Sequence, residues 1–193
     1  MAITEIGCMV MAPGVDVTDE STPGGKTLVT AWKKITSQPT GPFRIYWGSE
    51  VENPSSLWSF FDFASVEEHQ KFRKDFGEDI VKDFDKIFDH GIFTGNKHIV
   101  TKPYPPSALR SPVTEIMLAW FPPDISSELK DSNTKRLEQF AEKGLEAIDA
   151  HMKFRETDAF KEAVSLIRGL EGLKKLAMFH VKAQIMENET RKP

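Results

Sequence analysis

The nine residues 65–73, SVEEHQKFR, recur in altered form as residues 147–155, AIDAHMKFR, and this repeat decides the fold. The histidines of the two segments, His69 and His151, are 82 positions apart (151 − 69). A second pair of histidines farther along the chain has the same offset: His98 and His180. Because self-similarity at a fixed offset is the signature of a duplicated structural unit, the chain is predicted to contain two copies of one unit.

A third match indicates that the second copy has lost a segment. Residues 4–6, TEI, recur as residues 114–116 at an offset of 110 (114 − 4), so the second copy is shorter by 28 residues (110 − 82). The shortening falls between the first strand and the histidine-bearing helix, where the first copy contains residues 42–63. The second copy is therefore predicted to lack the central hairpin of the first.

Local patterns in the first copy predict the element order β-α-β-β-α-β. Apolar residues of its first helix recur at the i, i+3, i+4 and i+7 spacing of one buried helical face: Leu28, Ala31, Trp32 and Ile35. Two β-rich segments separated by a turn signal predict a hairpin: residues 43–47 and 57–63. The remaining predicted elements are strands at residues 5–11 and 97–102 and a helix that starts at Val66.

The second copy follows a proline-rich segment, which cannot sustain a helix or a central strand and predicts a linker. The predicted divisions are a first unit at residues 1–102, the linker at 103–112, a truncated unit at 113–186 and a loose polar tail at 187–193. The predicted elements of the second unit are a strand at residues 113–121, helices at 129–150 and 158–170, and a closing strand at 176–185.

A β-α-β-β-α-β unit of this length, with an SVEEHQKF turn into its second helix, resembles the antibiotic-biosynthesis-monooxygenase-like units of the dimeric α+β barrel superfamily. The tandem arrangement is similar to that of a group of fungal proteins with two such units in one chain. The resemblance implies an α+β fold of tandem ferredoxin-like units, the second without its central hairpin, and it makes a homodimer one of the assemblies to expect.

Members of that superfamily include cofactor-independent quinol or anthrone monooxygenases, haem-degrading enzymes and ligand-binding or cyclase-like proteins, so the resemblance leaves the reaction open. Haem-degrading relatives use an asparagine on the first strand. Residues 5–10 here contain none. No haem-binding role is therefore carried over to this chain.

The candidate catalytic residues are His69 and His98. His69 shares its predicted helix face with Val66 and Phe72, so its imidazole is expected to point at the sheet and to bond a backbone or hydroxyl partner. General acid or base catalysis is the alternative role. His98 is predicted to face away from Ile99, either into a barrel cavity or into surface hydrogen bonds.

The aromatic hairpin supplies the candidate ligand-binding residues. Alternation along a strand places Trp58 and Phe60 on one face, and Phe61 and Phe63 on the other. Core packing explains such a hairpin, and so does a planar aromatic ligand held among the rings. Asp62 is the polar member of the pocket. Arg44 is either an orienting group for an anionic substrate or a solvated residue at the sheet edge. With Trp32 from the covering helix, the candidate set is Trp32, Arg44, Trp47, Trp58, Phe60 and Asp62.

Composition excludes several classes of partner. The formal net charge is −4 with no basic run, so nucleic-acid binding is not expected. No long apolar run and no secretory signal are present, so we expect no membrane association and a cytoplasmic location. Cys8 is the single cysteine, which excludes an internal disulfide and a multi-thiolate zinc site. No ligand spacing such as H-E-x-x-H occurs, so no metal and no cofactor are predicted.

Two functions stay open at this point, and enzymatic activity is undecided between them. The first is binding of a small hydrophobic aromatic molecule, polyketide-like or quinol-like, with cofactor-independent oxygenation or cyclisation of that molecule. The second is a non-catalytic structural or assembly role, in which the Phe and Trp side chains fill the barrel core themselves.

Overall fold

A computed structural model of the chain describes residues 1–89, 97–145 and 158–193. His90 and His151, and with His151 the second copy of the repeated motif, lie outside the described residues. The chain divides into two compact units, one of residues 1–116 together with 179–193, and one of residues 117–178.

The predicted element order of the first copy is confirmed. Its elements are β1 (Ile3–Val10), α1 (Pro23–Thr36), β2 (Arg44–Ser49), β3 (Ser56–Phe63), α2 (Val66–Val81) and β4 (Lys97–Ile99). The four strands pair antiparallel in the order β4-β1-β3-β2, which is the strand order of a ferredoxin-like unit.

Side-chain caps fix where both helices begin. The Thr22 hydroxyl accepts a hydrogen bond from the backbone nitrogen of Gly25 at 2.9 Å, immediately before α1. The Ser65 hydroxyl accepts one from the backbone nitrogen of Glu68 at 3.2 Å, immediately before α2. Ser65 and Glu68 have the spacing of a capping box. The repeated sequence motif therefore sets the start of α2 and places His69 in its first turns.

The second copy contributes β5 (Thr114–Trp120), α3 (Ser127–Leu145), α4 (Asp158–Arg168), β6 (Lys175–Val181) and β7 (Gln184–Glu187). Strands β5 and β6 form a two-stranded sheet, as expected for a copy whose hairpin is missing. Within the unit of residues 117–178, the Asn133 side-chain amide donates to the carbonyl oxygen of Glu171 at 2.9 Å. The Lys175 ammonium lies 4.9 Å from the centre of the Trp120 ring.

The closing strand differs from the prediction of one strand over residues 176–185. The chain has two strands there, β6 and β7, interrupted at Lys182, and β7 pairs antiparallel with β2. This pairing satisfies the main-chain groups along the edge of β2, which would otherwise be an open sheet edge. Gly48 permits the crossing, because a Cβ atom at that position would collide with the carbonyl oxygen of Lys182.

The two faces of the resulting five-stranded sheet carry different residues. Apolar side chains on one face, here called the helix face, pack under α1 and α2: Ile3, Met9, Ile45, Trp47, Leu57 and Phe63. The other face, here called the linker face, carries a smaller cluster: Ile6, Tyr46, Phe60 and Leu109, with Trp58 beside them. Leu109 belongs to a 3-10 turn, Ser107–Arg110, within the predicted linker. The proline-rich segment therefore covers the sheet.

The C-terminal segment, predicted as a loose polar tail, is held by specific contacts. The Asn188 side chain is buried, donating to the carbonyl oxygen of Pro42 at 3.2 Å and accepting from the backbone nitrogen of Thr190 at 3.0 Å. The Arg191 guanidinium binds the Glu68 carboxylate at 2.6 Å. Composition did not reveal the contacts with Pro42 and Glu68, because both residues are more than a hundred positions away in the sequence.

Candidate functional site

Three polar side chains from three elements meet on the helix face. Glu5 on β1 lies directly opposite His98 on β4 in the antiparallel ladder. His69 enters from α2, with its Nε2 atom 3.0 Å from Glu5 Oε2 and its Nδ1 atom 2.7 Å from His98 Nε2. The two candidate catalytic histidines are thus hydrogen-bonded to each other and to a carboxylate.

Burial differs sharply along this chain of contacts. Glu5 is 4% exposed and His69 is 3% exposed, whereas His98 is an exposed residue. The His69 ring also packs against the Phe63 ring, with 4.8 Å between their centres, which restricts its rotation. The chain of hydrogen bonds therefore runs from a buried carboxylate, through a fixed imidazole, to an imidazole that solvent and small molecules can reach.

The protonation pattern of the three residues follows from what each group can donate. A carboxylate only accepts, so the hydrogen on His69 Nε2 is donated to Glu5. His69 Nδ1 then holds a lone pair and accepts the hydrogen on His98 Nε2. His98 Nδ1 consequently carries a lone pair. A proton taken up there allows the Nε2 proton to pass to His69, which leaves the positive charge beside the Glu5 carboxylate.

His98 faces away from Ile99, as predicted, and of its two predicted environments the hydrogen-bonded surface one agrees with the structure. His98 is exposed and binds His69, and it faces α2 rather than the opposite side of the sheet. The physical reason is the register of β4 on β1, which fixes His98 opposite Glu5 and so on the helix face. The predicted backbone or hydroxyl partner of His69 is wrong, since that ring binds a carboxylate and a second imidazole.

Sequence reasoning missed Glu5. Its signal was available, because Glu5 is a charged residue within an eight-residue strand whose other residues are almost all buried. Acidic side chains are rarely buried without a partner. A glutamate inside such a strand therefore predicts a polar partner on the elements that cover it.

A second polar cluster lies on the linker face. The Thr4 hydroxyl donates to Asp62 Oδ1 at 2.6 Å. Arg44 Nε lies 3.3 Å from Asp62 Oδ2, an ion-pair distance without hydrogen-bond geometry. Asp62 has no exposed surface and Arg44 is 6% exposed. The cluster is thus enclosed, unlike the exposed end of the first one.

Burial dominates the titration of this second cluster. Desolvation raises the pKa of Asp62 to about 6, and the hydrogen bond from Thr4 and the nearby arginine charges offset it only in part. Desolvation also raises the pKa of Tyr46, and it raises that of Tyr104 to about 12. Both phenol hydroxyls are buried without a hydrogen-bond partner in the described part of the chain.

The sheet separates the six candidate ligand-binding residues. Trp32 and Trp47 lie in the core under the helix face, with their ring centres 6.3 Å apart in an edge-to-face arrangement. The other four candidates face the linker side: Arg44, Trp58, Phe60 and Asp62. The predicted sharing of one face by Trp58 and Phe60 is confirmed, but one ligand cannot contact all six residues.

Trp58 has contacts of its own on the linker face. Its indole nitrogen donates to Glu50 Oε2 at 2.9 Å. Its ring stacks on Phe179 with 4.3 Å between the ring centres and 20° between the planes. The side chain is half-buried. Trp58 therefore joins β3 to Phe179 of β6, on the face of the sheet opposite to His98.

A second pairing of Glu and His involves Glu115 and His180, which align with Glu5 and His98 in the sequence matches described above. Glu115 Oε1 lies 4.0 Å from His180 Nε2, while Glu52 Oε1 lies 2.5 Å from His180 Nδ1. Hydrogen bonds from the side chain and backbone of His180 lower the pKa of Glu52 to about 2. These groups are more exposed than Glu5 and His69, so water screens their interaction more strongly.

A shallow cleft of about 400 Å³ lies elsewhere on the surface. It is lined by residues 11–16, 18, 49, 54 and 55, and it contains neither histidine. Its lining includes a single ionisable side chain, Asp16. We therefore place the candidate chemistry at the Glu5, His69 and His98 cluster, where hydrogen-bonded titratable groups reach the surface.

None of the helices within the described residues has the length and apolar composition needed to cross a bilayer.

The fold is α+β with a ferredoxin-like strand order, and it is consistent with the fold of antibiotic-biosynthesis-monooxygenase-like proteins. No protein-family model matches the chain, and no curated protein sequence matches it. A proposed monooxygenase from Fusobacterium nucleatum is similar in structure, with a TM-score of 0.61 at 9% identity over 97% of this chain and 94% of that one.

Two further solved structures are similar over nearly the whole chain. An anthrone oxidase-like protein matches with a TM-score of 0.56 at 12% identity, over 97% of this chain and 94% of that one. A proposed monooxygenase from Lactobacillus acidophilus matches with a TM-score of 0.52 at 13% identity, over 97% and 96%. At these sequence identities the similarity establishes a monooxygenase-like fold. The function has to be argued from the geometry and chemistry of the candidate site.

Proposed function

We propose that this protein binds a small electron-rich aromatic molecule, of the quinol or anthrone kind, and oxygenates it without a bound cofactor. The observation that carries the proposal is the hydrogen-bonded chain from buried Glu5 through His69 to exposed His98. Such a substrate reacts with O2 once it has lost a proton, so a positioned base is the main contribution that a protein must make.

His98 is the proposed base. It takes the proton from the ring carbon of an anthrone, or from the hydroxyl of a quinol, onto Nδ1. The hydrogen on its Nε2 atom shifts to His69, and the Glu5 carboxylate stabilises the resulting imidazolium. Glu5 and His69 act through His98 and are positioning residues in this scheme.

The oxygen chemistry balances without another reactant. For an anthrone, the deprotonated substrate transfers electrons to O2, and the carbon forms a bond to oxygen that gives a peroxide. The imidazolium returns the proton to the outer oxygen as the O–O bond breaks. The ring carbon loses its second hydrogen as a proton to the now neutral His98 and becomes a carbonyl as hydroxide leaves. The hydroxide takes that proton, so one O2 is consumed and one water is released.

The substrate meets this base on the helix face. Arg44, Trp58, Phe60 and Asp62 lie on the linker face and are not part of a site that contains His98. Trp32 and Trp47 are on the correct side of the sheet, but they are 1% and 4% exposed and pack in the core. We therefore propose His98 and its surroundings, and not the aromatic hairpin, as the place where the substrate binds.

Oxygen uptake tests the proposal. Wild-type protein is assayed with an anthrone and with a panel of quinols, with a metal chelator present and with the rate of spontaneous oxidation subtracted. We expect turnover that falls at least tenfold in His98→Ala and in Glu5→Gln, and that is unchanged in His180→Ala, the matched change at the other Glu and His pair. Circular dichroism verifies that each variant is folded.

The burial of the candidate aromatic residues on helix α1 and on the hairpin favours the second function, a non-catalytic protein with a self-filled core. Trp32, Trp47 and Phe60 are all less than 5% exposed. Saturable binding of the same aromatic compounds without turnover would support a binding module. If the protein shows no binding and no oxygen uptake with any compound of the panel, the oxygenase proposal is overturned and the structural role is left.

A further inference from the structure

We propose that Glu5, His69 and His98 also form a binding site for a divalent transition-metal ion of the zinc class. Each residue offers one ligand atom, and the three ligand atoms all lie within 4.8 Å of one another. The inference does not depend on the proposed function, because it is argued only from the identity and proximity of the three ligand atoms.

The donor set suits a borderline-soft cation. Two imidazole nitrogens and one carboxylate oxygen are the protein ligands of many zinc sites that keep a fourth position open. Metal to ligand distances are about 2.0–2.2 Å in such sites. Glu5 contacts His69 Nε2 at 3.0 Å and His98 contacts His69 Nδ1 at 2.7 Å, so one of these two contacts opens when the His69 ring turns a single nitrogen toward the ion.

The fold holds each ligand in place. The antiparallel ladder of β1 and β4 sets Glu5 opposite His98. The Ser65 cap fixes the start of α2, and Phe63 packs against the His69 ring. Rigid supporting contacts of this kind orient metal ligands and raise the affinity of a site. The exposed position of His98 provides the route by which an ion enters.

This inference departs from the sequence prediction that no metal binds. The ligands are separated by 64 residues (69 − 5) and by 29 residues (98 − 69), so no local ligand spacing exists for a sequence to show. They meet because the strand order places β4 beside β1, and because the His69 side chain on α2 contacts one residue on each of these strands.

A bound ion and the proposed base compete for the same lone pairs. An ion held by both histidines engages the nitrogen atoms that pass the proton in the oxygenase scheme. Zinc is therefore expected to inhibit oxygen uptake, and a chelator to restore it. Metal occupancy would then act as a switch on the proposed activity.

Cobalt(II) titration of the full chain, purified without a histidine tag, tests the site directly. We expect one equivalent of Co²⁺ to produce visible absorption bands typical of low-coordinate cobalt, and one equivalent of Zn²⁺ to abolish them. Glu5→Gln and His98→Ala should each weaken Co²⁺ binding at least tenfold. His180→Ala should bind as wild type does, although His180 has two carboxylates within 4.0 Å.

Three results would overturn the inference: no stoichiometric binding to the folded wild type, unchanged binding in His98→Ala, or loss of binding in His180→Ala. Both test variants change one side chain, and the circular dichroism spectrum of each is compared with wild type, so that unfolding is not mistaken for loss of a ligand. The two proposals fail separately. Cobalt binding with no oxygen uptake removes the oxygenase, whereas uptake in chelator with no cobalt binding removes the metal site.

Discussion

Glu5 on β1 and His98 on β4 stand directly opposite each other on neighbouring antiparallel strands, with the His69 ring between their side chains. The two ends of this arrangement differ in their access to water, since Glu5 is buried and His98 is exposed. Because two hydrogen-bonded imidazoles connect the buried Glu5 carboxylate to the surface, Glu5 can influence proton transfer at the exposed His98 ring. The same burial gradient predicts how the three residues differ in their effect on stability.

His69→Ala should destabilise the fold far more than His98→Ala. Removal of His69 leaves the buried Glu5 carboxylate without its imidazole partner and opens a cavity beside Phe63, so we expect a loss of about 3–5 kcal/mol. His98 is exposed, and its loss should cost less than about 1 kcal/mol. Urea denaturation measures both values. Equal losses would show that burial does not determine the energetics of this cluster.

Trp32→Ala should be more damaging than Trp58→Ala. Trp32 is 1% exposed and makes edge-to-face contacts with the rings of Trp47, Phe61 and Phe84, so its removal should cost about 3–5 kcal/mol. Trp58 is half-buried and stacks on Phe179, so its loss should be milder. The comparison uses unfolding free energies from the same denaturant series. A larger loss for Trp58 would contradict this order.

Stability should fall as pH rises from about 4 to about 6 because of Asp62. The pKa of this carboxyl is raised from 3.8 to about 6 in the folded chain, so the folded state binds more protons than the unfolded state across that window. Its favourable contribution is present at low pH and is lost as pH rises through the folded pKa.

Asp62→Asn isolates that contribution, because the amide oxygen can still accept the Thr4 hydrogen bond. The wild-type unfolding free energy minus that of the variant should decrease between pH 4 and pH 6 and then level off. Urea titrations at a series of pH values give the difference. An increase with pH would mean that the ion pair with Arg44 outweighs desolvation in setting the pKa of Asp62 in the folded chain.

Gly48→Ala should weaken the docking of β7, whereas Gly77→Ala should not. A Cβ atom at Gly48 would collide with the backbone carbonyl of Lys182, which cannot move without shifting β7 from β2. Gly77 lies within α2, where a Cβ atom would meet only Arg73 at 3.9 Å, so alanine should stabilise by roughly 0.5–1 kcal/mol. Hydrogen exchange at residues 184–187 measures docking directly. Unchanged hydrogen-exchange protection of residues 184–187 in Gly48→Ala would contradict the close approach of Gly48 to the Lys182 carbonyl.

The sequence predicted the fold of the first copy well because its signals are local. The Ser65 cap, the apolar spacing of α1 and the β-rich hairpin each act over a few residues, and the structure contains all three. The division of residues 176–185 between two sheets was not predictable in this way. It depends on an open edge of β2, which exists only once the other strands have paired.

The candidate site was predicted in part, and the missing part is the non-local one. His69 and His98 were selected by the repeat, but their contact depends on the register of β4 and the packing of α2. Glu5 was overlooked although it stands within an apolar strand, because the two imidazoles that partner it are distant in the sequence. Alternation along the strand correctly predicted that Trp58 and Phe60 share one face. It could not show that Trp32 lies on the other side of the sheet.

The pairing of β7 with β2 makes the first compact unit discontinuous in sequence, since residues 179–193 complete a body begun by residues 1–116. During synthesis, the sheet edge at β2 must wait for almost the whole chain to emerge before its partner arrives. A fragment that ends near residue 112 would therefore keep a bare, bonding-competent strand and tend to self-associate. Residues 117–178 are inserted in the sequence between the two parts of the first unit. A truncation anywhere before β7 therefore removes a strand that the first unit needs.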